Sequence, residues 1–304
     1  MNYLLSFFCA ACIAIMLVPN GNLTQHYDVY IASFIIHLIG LMAITIIMLL
    51  RKEKFRFPKS SSIFLCTGGI IGVGTTMFNN AAYGKISISA ILALGLLAQA
   101  VTSLVIDHYG YFHMPVQKFN KGKLIGFIFT MLGIICLLKD SGFILIPVIL
   151  SLLTGITVVT SRCVNAELAE KTSVWTSTWY NFMTGLVTCG VIWVIAVFFK
   201  ESTFKIELEP NVWMYSGALI GVTAVTLLNI ITKKMSAFIL TLIMFVGQLF
   251  TGLVIDLLQG QSFTMTYILG GILTMFGLCF NLWMDHKRKH SFVTMKYEST
   301  DYNE

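Results

Sequence analysis

Apolar residues recur in long runs over almost the whole chain, and short polar segments separate these runs. A helix needs about 20 apolar residues to cross the hydrocarbon core of a bilayer. Windows of that length predict ten helices, near 3–19, 29–50, 61–82, 88–107, 122–139, 142–164, 174–199, 211–232, 236–257 and 264–284. The pattern therefore predicts an all-α integral membrane protein with ten transmembrane helices and short connections between antiparallel neighbours.

The second half of the chain repeats the first. The segment LAQAVTSLVIDHYG at 97–110 aligns with VGQLFTGLVIDLLQ at 246–259. This offset, or a slightly shifted one, gives the pairs Gln99/Gln248, Thr102/Thr251, Asp107/Asp256, Gly68/Gly217, Gly72/Gly221, Asn80/Asn229, Gly40/Gly185 and Gly133/Gly277. A repeat with an odd number of helices enters the membrane with the opposite orientation the second time. We therefore predict two inverted five-helix repeats at 1–140 and 141–285, and a disordered cytoplasmic tail at 286–304.

Composition agrees with a membrane protein and excludes several other classes. Hydrophobic residues make up 57% of the 304 positions and charged residues only 11%, against about 25% charged residues in soluble domains. The net charge of +6 forms no stripe along a helix, so nucleic acid is not an expected partner. The seven cysteines lie in or beside apolar runs, where thiols act as small hydrophobes. We expect no metal, no cofactor and no catalysis. The expected partners are the bilayer and a small-molecule substrate, in a monomer or a homodimer.

The basic residues indicate the orientation of the chain. With the N-terminus in the cytoplasm, 16 of the 20 Lys and Arg residues fall on the inner side, among them Arg162 at the cytoplasmic end of the sixth helix. The outer side then keeps only Lys85, Lys139, Lys200 and Lys205. The positive-inside rule therefore predicts that both termini are cytoplasmic.

Three motifs carry a resemblance to a known family. They are N-x-x-L at Asn20–Leu23, a glycine in the second helix, and Q-x-x-[TS]-x-x-x-x-D on the fourth helix. Together they resemble the YdcZ-like branch of the drug/metabolite transporter superfamily, over residues 3–284, as though two single-repeat members were fused. Two positions depart from the pattern, since His37 replaces an aromatic residue and Ala98 replaces a glycine. The resemblance implies a carrier of the bacterial inner membrane.

Two glutamines are the first candidates for a binding site. Gln99 and Gln248 lie near the middle of their helices, where an unpaired amide costs about 1–3 kcal/mol. Thr102 and Thr251 follow three residues later on the same helical face. These residues either line the substrate path or join neighbouring helices by hydrogen bonds.

Other polar and aromatic residues are candidates with two interpretations each. His37 and Asn181 fall at neighbouring positions when the two repeats are aligned. His37 is either a proton-coupling group or an imidazole bonded within the bundle. Trp179 and Tyr180 form either an aromatic wall for the substrate or an interfacial belt, and Asn80 and Asn229 cap helices or line a vestibule. Asp107 and Asp256 are either gate or proton-coupling residues, or solvated residues at the interface. The glycines favour close helix packing: Gly40, Gly185, Gly68, Gly72, Gly217, Gly221, Gly133 and Gly277.

These features predict a secondary transporter that moves a small metabolite or drug-like solute by alternating access, with export as the expected direction. No Asp or Glu lies in the middle of a predicted helix, which disfavours carboxylate-driven proton antiport and favours a neutral or zwitterionic solute. A channel, or a structural or receptor protein of the membrane, is the alternative.

The topology has a direct test. A peptide tag placed after Glu304 should be protected from antibody or protease in intact cells and become accessible when the membrane is permeabilised, because the charge split places the C-terminus inside. A tag accessible from outside intact cells would contradict the prediction.

Overall fold

The computed structural model describes residues 2–114, 116, 122–141, 144–204, 210–260, 265–266, 268–277, 279–280 and 284. Within these residues the chain forms ten helices. They are α1 (Asn2–His26), α2 (Val29–Leu50), α3 (Gly68–Ala82), α4 (Ile88–Tyr109), α5 (Lys123–Ser141), α6 (Leu145–Lys171), α7 (Val174–Phe198), α8 (Ser216–Ile231), α9 (Ala237–Leu258) and α10 (Ile268–Gly277). The all-α membrane fold predicted from the sequence is confirmed, and the predicted tail at 286–304 lies outside the described residues.

Eight of the described helical segments are long and apolar enough to span a bilayer. The fifth and tenth positions hold the shorter apolar segments Leu124–Cys136 and Ile268–Gly277. Among the eight spans, α4 and α9 bury the largest share of their residues. These two helices therefore form the centre of the bundle.

The helices α1 and α6 extend further than the apolar windows predicted. The first continues through Pro19 to His26, and the sixth continues to Lys171. Both extensions contain the N-x-x-L motif, and both asparagines of the motif are buried. Hydropathy windows end at such polar residues, whereas packing against other helices holds the backbone helical here.

Helices α3 and α8 are each preceded by a tighter helical segment. A 3-10 helix at Ser60–Thr67 leads into α3, and another at Val212–Tyr215 leads into α8. The sequence predicted uninterrupted helices at 61–82 and 211–232. The two equivalent positions thus deviate in the same way, which the shared repeat explains.

The two repeats are interleaved rather than packed side by side. Helix α1 of the first repeat packs on α8 of the second, and α6 packs on α3 in the equivalent contact. The equivalent helices α2 and α7 pack on each other, as do α4 and α9. Each contact therefore occurs twice with the repeats exchanged, or joins two equivalent helices across a pseudo-twofold axis.

Two buried carboxylates fix the direction of the central helix pair. The Asp107 carboxylate at the end of α4 accepts hydrogen bonds from the backbone N–H groups of Ala237 and Phe238, at 3.1 and 2.9 Å. Asp256 at the end of α9 accepts from Ile88 and Ser89, at 3.0 and 2.9 Å. The C-terminal end of each helix thus meets the N-terminal end of the other. Because α4 and α9 are equivalent and antiparallel, the two repeats are inverted.

The same bonds correct the solvated interpretation of these aspartates. Both residues are only 1% exposed. A carboxylate is disfavoured at the C-terminal end of its own helix, but here it neutralises the positive N-terminal end of the partner helix. The structure accordingly gives both residues a capping role between the repeats.

The caps predict a loss of stability in two matched variants. Asp107→Asn and Asp256→Asn should each destabilise the protein by about 1.5–3 kcal/mol, because the amide removes the charge and leaves a buried donor poorly paired. Thermal unfolding of the purified protein in detergent measures the change. The exposed Glu201→Gln is a control that should unfold like the wild type, and an unchanged unfolding of both aspartate variants would contradict the capping role.

Candidate functional site

A cavity lies at the centre of the bundle, between the two repeats. The centre of a water molecule can reach about 140 Å³ of it, enough for a small solute. Its wall contains residues of α1 to α4 and of the equivalent helices α6 to α9. The polar side chains of the wall are Asn20, His37, Thr75, Thr76, Asn79, Gln99, Thr154, Ser161, Arg162, Asn165, Asn181, Asn229 and Gln248.

The two glutamines face this cavity from the central helices. Gln99 on α4 is 4% exposed and Gln248 on α9 is 2% exposed. The Gln99 Oε1 atom has no hydrogen-bond partner among the described residues. An unpaired buried amide costs about 1–3 kcal/mol, so a ligand or water in the cavity would relieve this cost. The position matches the sequence prediction, and a role in binding stays a prediction.

Asparagine, serine and glycine form the wall where α6 crosses α3 and α7. The Asn165 amide donates to Asn181 Oδ1 at 2.7 Å and to Ser161 Oγ at 3.2 Å. Ser161 in turn donates to the carbonyl oxygen of Gly68 at 2.8 Å. A Cβ atom at Gly68 would collide with the Asn165 side chain. Asn181, which falls next to the position of His37 when the repeats are aligned, is therefore held in a polar network that also lines the cavity.

The equivalent wall, where α1 crosses α8, has the same packing with fewer bonds. A Cβ atom at Gly217 would collide with Asn20, as at Gly68 and Asn165. The Asn20 Oδ1 atom, however, is buried and has no hydrogen-bond partner in the described part of the chain. The cavity thus has a bonded wall on one side and an unsatisfied amide oxygen on the other.

His37 combines a cavity position with a bond inside its own helix. Its Nδ1 lies 2.8 Å from the carbonyl oxygen of Ser33, which can only accept, and 3.5 Å from Cys189 Sγ. The ring packs against Gly185, where a Cβ atom would collide with it. This geometry agrees with an imidazole bonded within the bundle, and proton coupling through His37 stays a prediction.

Two pairs of candidates, the threonines and the asparagines, differ in their placement. Thr102 and Thr251 donate to carbonyl oxygens of their own helices, at 2.8 and 2.7 Å, and lie outside the cavity wall. Asn229 lines the cavity and donates to Thr178 Oγ1 at 3.1 Å. Asn80 is buried outside the wall. The repeat correspondence of these residues therefore does not give them equal access to the cavity.

The aromatic residues form a cluster away from the cavity. Trp179 donates to Thr45 Oγ1 at 3.1 Å and packs against Phe55 and Tyr180, at 4.9 and 5.4 Å between ring centroids. The Arg51 guanidinium lies 4.6 Å from the Trp175 ring. Since Arg51 and Phe55 belong to the polar end of α2 and the segment after it, the cluster agrees with an interfacial belt.

The predicted packing glycines fall into two groups. A Cβ atom would collide with a helix of the other repeat at six of them: Gly40, Gly185, Gly68, Gly217, Gly133 and Gly277. Gly72 and Gly221 instead line the cavity and would tolerate a Cβ with a small adjustment or none. Close packing therefore explains the first group, and the second group gives the cavity its width.

Arg162 does not lie at the end of α6, where the sequence analysis placed it. Helix α6 continues nine residues beyond it, about 13 Å, and Arg162 is only 3% exposed in the cavity wall. Without Arg162 the predicted split of basic residues is 15 to 4, which still favours the same orientation. The repeat alignment could have revealed the buried position of Arg162, because it pairs this residue with Leu17, an apolar residue of the first repeat.

Comparisons with known proteins agree with this architecture. A family model described as "Putative inner membrane exporter, YdcZ" matches the chain twice, over residues 2–136 and 146–280. One solved crystal structure aligns with a TM-score of 0.63 over 93% of this chain and 96% of that chain, at 11% sequence identity, which supports the fold alone. No curated protein matches the chain in sequence. The double match confirms the fused two-repeat form, and the chain belongs to the YdcZ family of inner membrane exporters.

Proposed function

We propose that this multi-pass inner membrane protein is a secondary transporter that exports a small solute by alternating access, with the central cavity as its substrate site. The supporting observation is that equivalent helices of two inverted repeats enclose one cavity, with both apolar and polar side chains in its wall. In carriers of inverted repeats the substrate site lies at the repeat interface near the bilayer midplane.

Polar contacts between the repeats occur at both ends of the bundle. At one end, His113 Nδ1 lies 3.1 Å from a Glu167 carboxylate oxygen, and Lys233 Nζ donates to the Phe112 carbonyl at 2.7 Å. At the other end the Tyr27 and Tyr215 hydroxyls lie 2.9 Å apart. In an alternating-access carrier, the contacts at each end serve as a gate that opens and closes. Alternating access would break one set at a time.

The first end is the cytoplasmic one in the proposed topology, and the second faces outward. There, burial raises the pKa of Tyr83 and keeps its hydroxyl protonated, and this hydroxyl donates to Asn22 Oδ1 at 2.9 Å. The outer contacts thus involve hydroxyls, an amide oxygen and the Asp28 carboxylate, which accepts from Ser202, whereas the inner ones include the pair His113–Glu167. Both termini are cytoplasmic in this proposal.

The cavity wall argues against one coupling mechanism. Among the described residues that line it, there is no Asp or Glu, so a carboxylate in the cavity does not exchange protons for substrate. Two other groups in the wall are candidates for coupling to an ion. His37 is titratable, and Arg162 is always charged.

Alternating access predicts that one cavity position is reached from both sides of the membrane. In a background without the seven native cysteines, Met16→Cys in the cavity wall should react with a membrane-impermeant thiol reagent applied to either face of sealed vesicles. Lys54→Cys and Glu201→Cys, both exposed at opposite ends, are the controls and should each react from one face only.

The channel alternative gives a different result. A channel would show ion conductance in planar bilayers and flux that does not saturate, whereas a carrier shows saturable, exchange-stimulated flux. One-sided labelling of Met16→Cys, or conductance by the purified protein, would contradict the proposal.

The glutamines predict a loss of transport without a loss of folding. Gln99→Leu and Gln248→Leu remove an amide but nearly conserve volume, so transport should fall about tenfold, as expected for one lost polar contact of about 1.4 kcal/mol. The measurement is flux in proteoliposomes, using a solute found in a thermal-shift screen of a metabolite library on the wild-type protein. Thermal stability should change little.

The exposed Gln25→Leu is the matched control for this pair and should transport normally. If the Gln99 and Gln248 variants fail to fold, the amides serve to join helices rather than to bind the substrate.

A further inference from the structure

The charge on Arg162 is unusual for its position. It is buried in the cavity wall, and no carboxylate among the described residues forms a salt bridge with it. A cation in a membrane interior is costly unless an anion or several acceptors compensate it. Ionisable residues at such depth commonly mark substrate pathways.

Only one of the guanidinium nitrogens is bonded. The Nη2 atom donates to Ser103 Oγ at 3.1 Å, to the Ala237 carbonyl at 3.0 Å and to Thr241 Oγ1. The Nε and Nη1 atoms are buried and have no hydrogen-bond partner among the described residues. The N–H groups of Nε and Nη1 point in different directions within the guanidinium plane, so each can give one charge-assisted hydrogen bond to an anion.

The acidic residues in this part of the fold are already engaged. Asp107 gives its two oxygens to the backbone N–H groups of α9. Glu167, more than one turn further along α6, pairs with His113 and Lys171, at 3.1 and 3.0 Å. Neither carboxylate therefore accepts a hydrogen bond from Nε or Nη1.

The first repeat shows that the fold does not require this cation. Leu17 is equivalent to Arg162, Gly252 to Ser103 and Leu92 to Thr241. Leu17 and Leu92 are buried in one apolar cluster, and Leu92 packs against Gly252. The same architecture is thus stable with an apolar set at one end, while the other end has an arginine and its acceptors.

We propose that Arg162 binds the carboxylate group of a small organic solute in the central cavity. This inference rests on the proposed transport function and names its substrate class, where the sequence predicted a neutral or zwitterionic solute. One cation in the wall matches one negative charge. Because Nε and Nη1 are closed to water in this conformation, binding accompanies the opening of the cavity that transport itself requires.

A thermal-shift comparison in detergent tests this class of substrate. The probes are acetate, lactate and benzoate, each against its neutral amide at the same ionic strength, with inorganic phosphate as a further anion. At least one carboxylate should raise the melting temperature of the wild-type protein by about 3 °C near ten times its dissociation constant. Its amide and phosphate should not do so. Equal shifts with a carboxylate and its amide, an equal shift with phosphate, or no shift with any carboxylate would overturn the proposal.

Three variants assign the shift to Arg162. Arg162→Leu, the residue found at the equivalent position, should lose the carboxylate-specific shift, and Arg162→Lys should reduce it because an ammonium lacks the fixed Nε and Nη1 donors of the guanidinium. Arg51→Leu removes an exposed arginine and should keep the full shift. A purely structural Arg162 would lower the melting temperature of its variants but leave the difference between carboxylate and amide intact, and that result would also overturn the proposal.

The two proposals fail separately. If Arg162→Leu does not fold, the comparison of carboxylates with amides on the wild-type protein still decides the substrate class. If no carboxylate binds but Met16→Cys is labelled from both faces, the transport mechanism stands and the assignment of a carboxylate is wrong.

Discussion

A bilayer supplies no water to the ends of helices that lie inside the protein, so every buried backbone donor needs a partner from the chain. The central pair α4 and α9 meets this demand with carboxylates at the far end of each other. The bonds fix the antiparallel direction of the pair and its register. That register brings Gln99 and Gln248 to one cavity. The other helices around this cavity pack on helices of the opposite repeat.

Exchange of helices between the repeats explains why the family motif varies at two positions. Ala98 replaces the usual glycine before Gln99, but it packs against Gly155 of α6, while Gly247 packs against Ala10 of α1. His37 likewise packs against Gly185, and Phe182 packs against Gly40. Each close contact needs one residue without a side chain, and the partner helix can supply it. A departure in one repeat is therefore compensated by a residue of the other repeat, far away in sequence.

The sequence predicted the helices, the repeats and the cavity position of the two glutamines, because these follow from hydropathy and from internal correspondence. It did not predict the helical ends beyond Pro19 and Val164, because a window of average hydropathy cannot register packing partners. Arg162 was misplaced for the same reason. Its acceptors, Ser103 and Thr241, lie 59 and 79 residues away in the chain, and only the folded arrangement brings them together. The burial of Asp107 likewise depends on the start of α9, 130 residues later.

Inverted repeats also explain how a protein of this kind can adopt two conformations of similar energy. When each helix contact has an equivalent with the repeats exchanged, closing one end and opening the other replaces a set of contacts by a similar set. The energy difference between the two forms then depends on the pairs that break the symmetry. Two of these pairs, Leu17/Arg162 and Asn22/Glu167, lie on α1 and α6 within about two turns of each other. Arg162 faces the cavity, and Glu167 joins the contacts at the end of the bundle that the proposed topology places in the cytoplasm. A ligand that compensates the charge of Arg162 therefore acts on α6, the helix that also carries the ion pairs of Glu167. Binding in the cavity is thereby connected to one gate.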